Sequence, residues 1–388
     1  MSRFKGFASK FRSGYRNAAL MLLNTLAVLA LLNAALAAAF MLKDRLKPNP
    51  VSEKYGEVAV YSAYPGMSEK EVDTLLEETW TRPYLYESFT EFKERAYKGR
   101  YVNVDEHGFR VSKGQGAWPL EKGKLNVFLF GGSTTFGYGV PDGETIASHF
   151  QTAMAERLGR DARVYNFGRG FYYSTQERIL FEELLASGVV PDMAIFIDGL
   201  NDFYFHSGET LFSPELRELV DNENANSCRS APATAIGRAA EAIRKRLGRS
   251  RAAEAPQADS GHKDYDDPQV IDPVIERYLA NKKMIEGTAE AFGVKAVFVW
   301  QPVPTHEYDL KLHKYGDLEE HMHSRRGYER MEEIVKRAPQ GDSFLWSADL
   351  QRDAAVPLYI DKVHYSPAFS KRLAESIAEK IVKRKLAP

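Results

Sequence analysis

The chain has one cysteine, Cys228, in 388 residues, so no disulfide can close within it. A lone thiol is compatible with either redox compartment. Charge of one sign is not in excess either: 52 Lys and Arg stand against 53 Asp and Glu, a formal net charge of −1. A protein whose main partner is nucleic acid carries a basic surplus, so no nucleic-acid partner is expected. Acidic residues are missing from the N-terminal stretch, where Arg3, Lys5, Lys10, Arg12 and Arg16 precede an uncharged apolar run over 18–42. There is no internal repeat, which argues against solenoids and propellers. Large apolar residues are scarce over 229–260, a segment rich in Ala, Arg and Ser.

The run over 18–42 exceeds the ~20 apolar residues that a spanning helix needs. Its basic flank predicts a cytoplasmic N-terminus and an exported body, anchored once in the cytoplasmic (inner) membrane, although Lys43, Arg45 and Lys47 blunt the asymmetry. Ala35-Leu36-Ala37 also fits a signal-peptide cleavage pattern. The run is longer than the usual h-region of about 7–15 residues, which favours a retained anchor. It has no polar face, so it does not read as a core helix. Beyond it, residues 43–110 read as a membrane-proximal extension. Ser68 followed by Glu71 is a capping-box pattern that predicts a helix through Trp80. Tyr84, Tyr86, Phe89, Phe92, Tyr97 and Tyr101 are expected to pack this extension against the main domain at 111–388.

The main domain alternates in character. Apolar strands are predicted at 125–130, 163–167, 193–197 and 295–300, with a short one near 343–346. Helical patterns fall at 145–158, 175–186, 272–292 and 367–384. Strands alternating with helices predict βαβ units and an α/β fold: a parallel sheet covered on both faces. An insertion at about 206–268 interrupts the order, with a helix expected over 233–247 carrying Arg238, Arg244, Lys245 and Arg246, and disorder over 249–265.

Four segments at the carboxyl ends of these strands carry chemistry, because ligands of open α/β sheets bind there. The first is Gly131-Gly132-Ser133-Thr134-Thr135-Phe136-Gly137. A Ser in a glycine-rich strand-to-helix turn is well placed as a nucleophile. The second is Tyr165-Asn166-Phe167-Gly168-Arg169-Gly170-Phe171, whose glycines allow a backbone N–H to approach a ligand. The third is Gly199-Leu200-Asn201-Asp202, in which Asn201 offers a donor that never titrates. Asp198 and Asp202 read as turn-stabilising residues beside it. The fourth is Asp361-Lys362-Val363-His364, which sets a proton-shuttling imidazole three residues after a carboxylate that can hold its tautomer.

Together and in this order, the four blocks resemble those of the SGNH/GDSL hydrolase superfamily, over roughly 103–385 apart from the insertion. Gln176-Glu177 and Pro191-Asp192 add to the resemblance. It implies a three-layer αβα, flavodoxin-like sheet. It also implies a serine esterase with Ser133 as nucleophile, His364 as base and Asp361 as its orienter. The implied oxyanion hole consists of the Ser133 N–H, Asn201 and a second-block N–H. The chain departs from the family twice. Gly132 replaces the Asp of Gly-Asp-Ser, and the second-block glycine position is held by Phe171, with Gly170 one place early. The second-block donor is therefore Gly170 or Phe171.

An exported anchor suits an ester substrate in the cell envelope, such as an O-acetylated polysaccharide. The same residues would serve an acyltransferase acting on sugar hydroxyls. A non-catalytic scaffold in envelope assembly is the alternative class, and the intact Ser133, Asn201, Asp361 and His364 weigh against it. Gln301, at the end of the fourth strand, is a candidate substrate contact, with a structural turn as the alternative. His321 and His323, with His306, Glu307 and Asp309 nearby, read as a solvated segment. No metal and no cofactor is expected. The oligomeric state is not encoded in any of these features.

Overall fold

The structure is a computed structural model that describes residues 2–45, 60–221, 264–315 and 318–388. The expected helix over 233–247, and all but the end of the stretch 249–265, lie outside the described residues. Helix α1 (Ser2–Arg45) is continuous, and within it Ser13–Lys43 is long and apolar enough to cross a membrane. By length and composition it fits a membrane anchor or a signal sequence, and Met21, Leu22, Leu23 and Leu31 are exposed.

Among the described residues, those within 60–214 and 264–388 form the compact unit that carries the sheet. It opens with α2 (Glu69–Trp80), a hairpin of β1 (Tyr84–Glu87) and β2 (Glu91–Glu94), and a small pair, β3 (Tyr97–Lys98) and β4 (Asn103–Val104). The main run follows: β5 (Leu125–Gly131), α3 (Ser133–Phe136), α4 (Ile146–Leu158), β6 (Ala162–Asn166), α5 (Ser174–Ala186), β7 (Met193–Asp198) and α6 (Leu200–Tyr204). Helix α7 (Ser213–Asp221) begins at the end of the first of these stretches. The chain re-enters the unit for α8 (Pro268–Phe292), β8 (Lys295–Trp300), α9 (His323–Arg337), β9 (Phe344–Trp346) and α10 (Pro367–Lys383).

The five main strands are all parallel, in the order β6-β5-β7-β8-β9. That is the flavodoxin-like order, in which successive crossovers run first to one side of β5 and then to the other. The three layers follow from strand alternation. Phe128, Phe130, Phe196, Phe298 and Trp300 point to one face, beneath α5, α8 and α9. Val127, Leu129, Ile195, Ile197, Val297 and Val299 point to the other, beneath α4 and α10. One face is thus largely aromatic and the other aliphatic.

Local chemistry sets the helix ends. Glu71 accepts from the Ser68 N–H at 3.0 Å in the predicted capping box at the start of α2. Asp267 accepts from the Gln269 N–H and Pro268 occupies the first turn, so α8 begins four residues before the apolar pattern does. Helix α9 is not apparent from periodicity because its apolar stripe is narrow: only Ser324, Gly327, Tyr328 and Met331 are buried. Among the extension's aromatics, Phe92 is buried and packs on Tyr172 and Phe212. Tyr86 and Phe89 do not pack as the sequence suggests; they stand exposed on the β1–β2 hairpin.

Phe196 stacks between Phe130 at 4.8 Å and Phe298 at 5.5 Å, at the centre of the aromatic face. Phe196→Ala is expected to cost about 3–5 kcal/mol, measured by urea unfolding. Met284→Ala, at an exposed position of α8, should stay within about 0.5 kcal/mol.

Candidate active site

Strands β5 and β7 are neighbours whose crossovers run to opposite sides, which opens a crevice at their carboxyl ends. Ser133 enters the crevice as the first residue of α3. Asn201 enters it from α6. The segment 359–365 folds back on itself between Leu358 and α10, with Tyr359 bridged to Tyr365 and the Ile360 N–H bonded to the His364 carbonyl at 2.9 Å. Ser366 then caps α10, accepting from the Phe369 N–H.

This turn brings His364 Nε2 to 2.8 Å from Ser133 Oγ, across 231 residues of sequence. His364 Nδ1 lies 2.7 Å from Asp361 Oδ2. Asp361 Oδ1 accepts the backbone N–H groups of Val363 and His364 at 3.0 and 2.8 Å. Burial alone would raise the Asp361 carboxyl, but the His364 charge and these hydrogen bonds hold it well below the usual carboxylate range. An ionised carboxylate only accepts, so Nδ1 carries the imidazole hydrogen and Nε2 presents its lone pair to the serine hydroxyl.

Gly132 and Asn201 are mutually adjusted. A Cβ at Gly132 would lie 2.4 Å from Asn201 Nδ2, so only glycine lets the amide come this close to the backbone beside Ser133. Asn201 Nδ2 donates one hydrogen to the Tyr172 carbonyl at 2.6 Å, which fixes the amide's orientation. Gly199, with φ of +126°, makes the turn that delivers it. The two second-block candidates differ sharply. The Gly170 N–H is bonded to Glu94 Oε1 at 3.3 Å and Gly170 does not line the cavity, whereas Phe171 does. Phe171 holds φ of +64°, a left-handed conformation that costs a bulky residue about 1–2 kcal/mol. That backbone explains why glycine suits this position.

Gln301 does not line the cavity over Ser133. It is buried, and its Oε1 accepts from Thr134 Oγ1 at 2.8 Å, while the Tyr365 hydroxyl lies 3.0 Å from this oxygen and 2.6 Å from the Pro302 carbonyl. Asp198 ends β7 and Asp202 lies in α6, on either side of the Gly199 turn. Both are buried, Asp202 accepting from Ser174 Oγ at 2.5 Å. Burial, and after it neighbouring negative charge, raises the Asp198 and Glu177 carboxyls.

A cavity of about 580 Å³ opens over the serine. Several of its walls come from residues the sequence did not single out. Trp80, at the end of α2, sets its ring edge against His364 at 5.4 Å, and Tyr138 stacks on the same imidazole at 5.5 Å. Glu94 holds the Tyr138 hydroxyl at 3.0 Å while paired with Arg82 at 3.1 Å in a fully buried ion pair. His321 also lines the cavity, instead of lying in a solvated segment. The apolar positions Val72, Leu75 and Leu76 recur at helical spacing toward Trp80, and that stripe is the signal that could have pointed to it. His306, Glu307 and Asp309 do not join His321: His306 is buried against Tyr328, Glu307 pairs with Arg352, and Asp309 caps a short turn.

No protein-family model and no curated protein sequence matches the chain. Among solved structures it is similar to the lipase Lip_vut3 from a goat rumen metagenome, at 14% identity over 67% of this chain and 97% of that one, with a TM-score of 0.39. It is similar to the acetylxylan esterase Axe2 from Geobacillus stearothermophilus, at 13% identity over 68% and 96%, TM-score 0.35. A protein assigned to the lipolytic G-D-S-L family from Desulfitobacterium hafniense DCB-2 is 13% identical over 66% and 99%, TM-score 0.33.

The depressed Asp361 carboxyl sets a sign for pH dependence. Its contribution is present above the unfolded value of about 3.9 and lost as pH falls toward the folded value. Asp361→Asn is therefore expected to destabilise by about 1.5–3 kcal/mol near pH 7 and by progressively less below about pH 4, read from urea midpoints across that range.

Proposed function

We propose that the protein is a membrane-anchored serine esterase that hydrolyses acyl esters, with Ser133, His364 and Asp361 as its catalytic triad. The observation that carries this reading is the unbroken chain Ser133 Oγ, His364 Nε2, His364 Nδ1, Asp361 Oδ2, with links of 2.8 and 2.7 Å. A serine hydroxyl is a weak nucleophile unless a base removes its proton as the bond to carbon forms.

His364 takes the Ser133 proton as Oγ attacks the ester carbonyl carbon, and Asp361 balances the resulting imidazolium. The carbonyl oxygen gains negative charge beside three donors: the Ser133 N–H, the Phe171 N–H and the second Nδ2 hydrogen of Asn201. Gly170 is left out of the oxyanion hole because its N–H is already bonded to Glu94. Collapse of the tetrahedral centre expels the alcohol, which receives its proton from His364. A water molecule then repeats the sequence on the acyl-enzyme. With α1 as the anchor and the body exported, the substrate class is an acyl ester of the cell envelope, O-acetylated carbohydrate included.

Full-length protein in detergent should hydrolyse a short-chain chromogenic ester, and Ser133→Ala should lower kcat by at least about 10³-fold and abolish labelling by a fluorophosphonate. No activity above that variant on several esters, together with no labelling, would leave the non-catalytic scaffold as the better reading. Asn201→Ala should lower kcat about 10²–10³-fold. Asn201→Asp should be worse, because it sets a negative charge against the oxyanion, and an Asp variant more active than Ala would remove Asn201 from the oxyanion hole.

A further inference from the structure

The cavity has polar groups that this chemistry leaves unused, and they gather on one wall. His321, Glu320, Lys362 and Tyr204 line it. Lys362 Nζ lies 3.0 Å from Glu320 Oε1, and His321 Nε2 lies 3.6 Å from the same oxygen. The His321 ring rests against Tyr204 with centroids 5.4 Å apart, and Tyr204 is one turn beyond Asn201 on α6. His321 Nδ1 is buried with no hydrogen-bond partner among the described residues. Burial outweighs the attraction of Glu320 and lowers this imidazole to about 4, so near neutral pH it offers one donor and one acceptor and no charge.

Which part of a substrate meets this wall follows from the proton path. The leaving oxygen must reach His364 Nε2 to be protonated, so the alcohol departs past His364. Lys362 stands two residues before His364 in the same turn, and its partner Glu320 adjoins His321. A hydrocarbon alcohol would strip water from these groups and return no hydrogen bonds. An alcohol bearing several hydroxyls replaces that water, with the Tyr204 ring meeting its C–H face.

We infer that His321 is a substrate-binding residue for the alcohol side of the ester, and that this alcohol is a polyhydroxylated ring of the sugar class. The inference rests on the serine-esterase reading above.

Full-length wild-type enzyme, His321→Ala and His321→Asn would be assayed on a mono-O-acetylated methyl glycoside and on p-nitrophenyl acetate, with fluorophosphonate labelling of Ser133 as the check on an intact site. The expected result is a fall in kcat/KM for His321→Ala that is at least tenfold larger on the glycoside than on the nitrophenyl ester and lies mainly in KM. His321→Asn, which keeps a donor and an acceptor, should recover part of it. Equal effects on the two esters would overturn the assignment of His321. A wild-type enzyme that cleaves the nitrophenyl ester but not the glycoside would overturn the sugar alcohol and leave the esterase reading standing. Failure on both esters with no labelling would remove the esterase reading itself. A second measurement needs no variant: the deacetylated methyl glycoside should inhibit nitrophenyl acetate hydrolysis more strongly than cyclohexylmethanol, and the reverse order would overturn the inference.

Discussion

Two hydroxyl groups converge on a single buried amide oxygen, and the alignment of the site depends on it. Thr134, next to Ser133, donates to Gln301 Oε1 at 2.8 Å, and the Tyr365 hydroxyl, next to His364, lies 3.0 Å from the same oxygen and 2.6 Å from the Pro302 carbonyl. Gln301 closes the strand between them in the fold, where its own N–H is held by the Asp198 carbonyl at 3.0 Å. Thr134 moved away from Gln301 would leave its buried hydroxyl without a partner, at a cost of about 1–3 kcal/mol, and the Tyr365 hydroxyl is held by the adjacent pair Gln301 and Pro302, so the three segments keep one register. A misplacement of about 1 Å in a nucleophile and its base can cost a hundredfold in rate. Gln301 thus links the two segments from beneath the cavity, without lining it.

The same economy appears on the other side of the serine. Asn166, fully buried, donates to the Thr135 carbonyl at 2.9 Å and accepts from the Gly168 N–H at 3.0 Å. Arg110, also fully buried, donates to the carbonyls of Phe136, Gly137 and Val140. Burial lowers its guanidinium to about 10, and Asp142 offsets part of that loss with an ion pair at 3.1 Å. The glycine-rich turn after β5 is thus supported from two directions by side chains that never reach the cavity.

What was legible in the sequence followed from strong local periodicity. Strands β5, β7 and β8 are buried on both faces, so they appear as unbroken apolar runs with sharp ends. Ser133, Asn201, Asp361 and His364 were visible because each follows such an end or precedes a capped helix. For Gln301 the sequence left a substrate contact and a structural turn open, because position along a strand does not reveal which way a side chain turns once the strand stops. Trp80 and His321 were missed for another reason. Each becomes part of the site only through contacts with distant chain, Trp80 with His364 and His321 with Tyr204. Tyr86 and Phe89 erred in the opposite direction, since aromatic content alone does not distinguish a packed face from an exposed hairpin.

The packing of α2 has a consequence for the order in which the molecule can assemble. Its apolar residues Val72, Leu75 and Leu76 bury against Phe136 and Tyr138, and also against Ile360, which comes far later in the chain. During synthesis the earlier segment emerges first and must wait, partly uncovered, for the later one. Its Trp80 ring meets the imidazole only when the 359–365 turn is in place. In a nascent chain the wall that α2 gives the cavity therefore stays incomplete until the 359–365 turn has been made and has folded back.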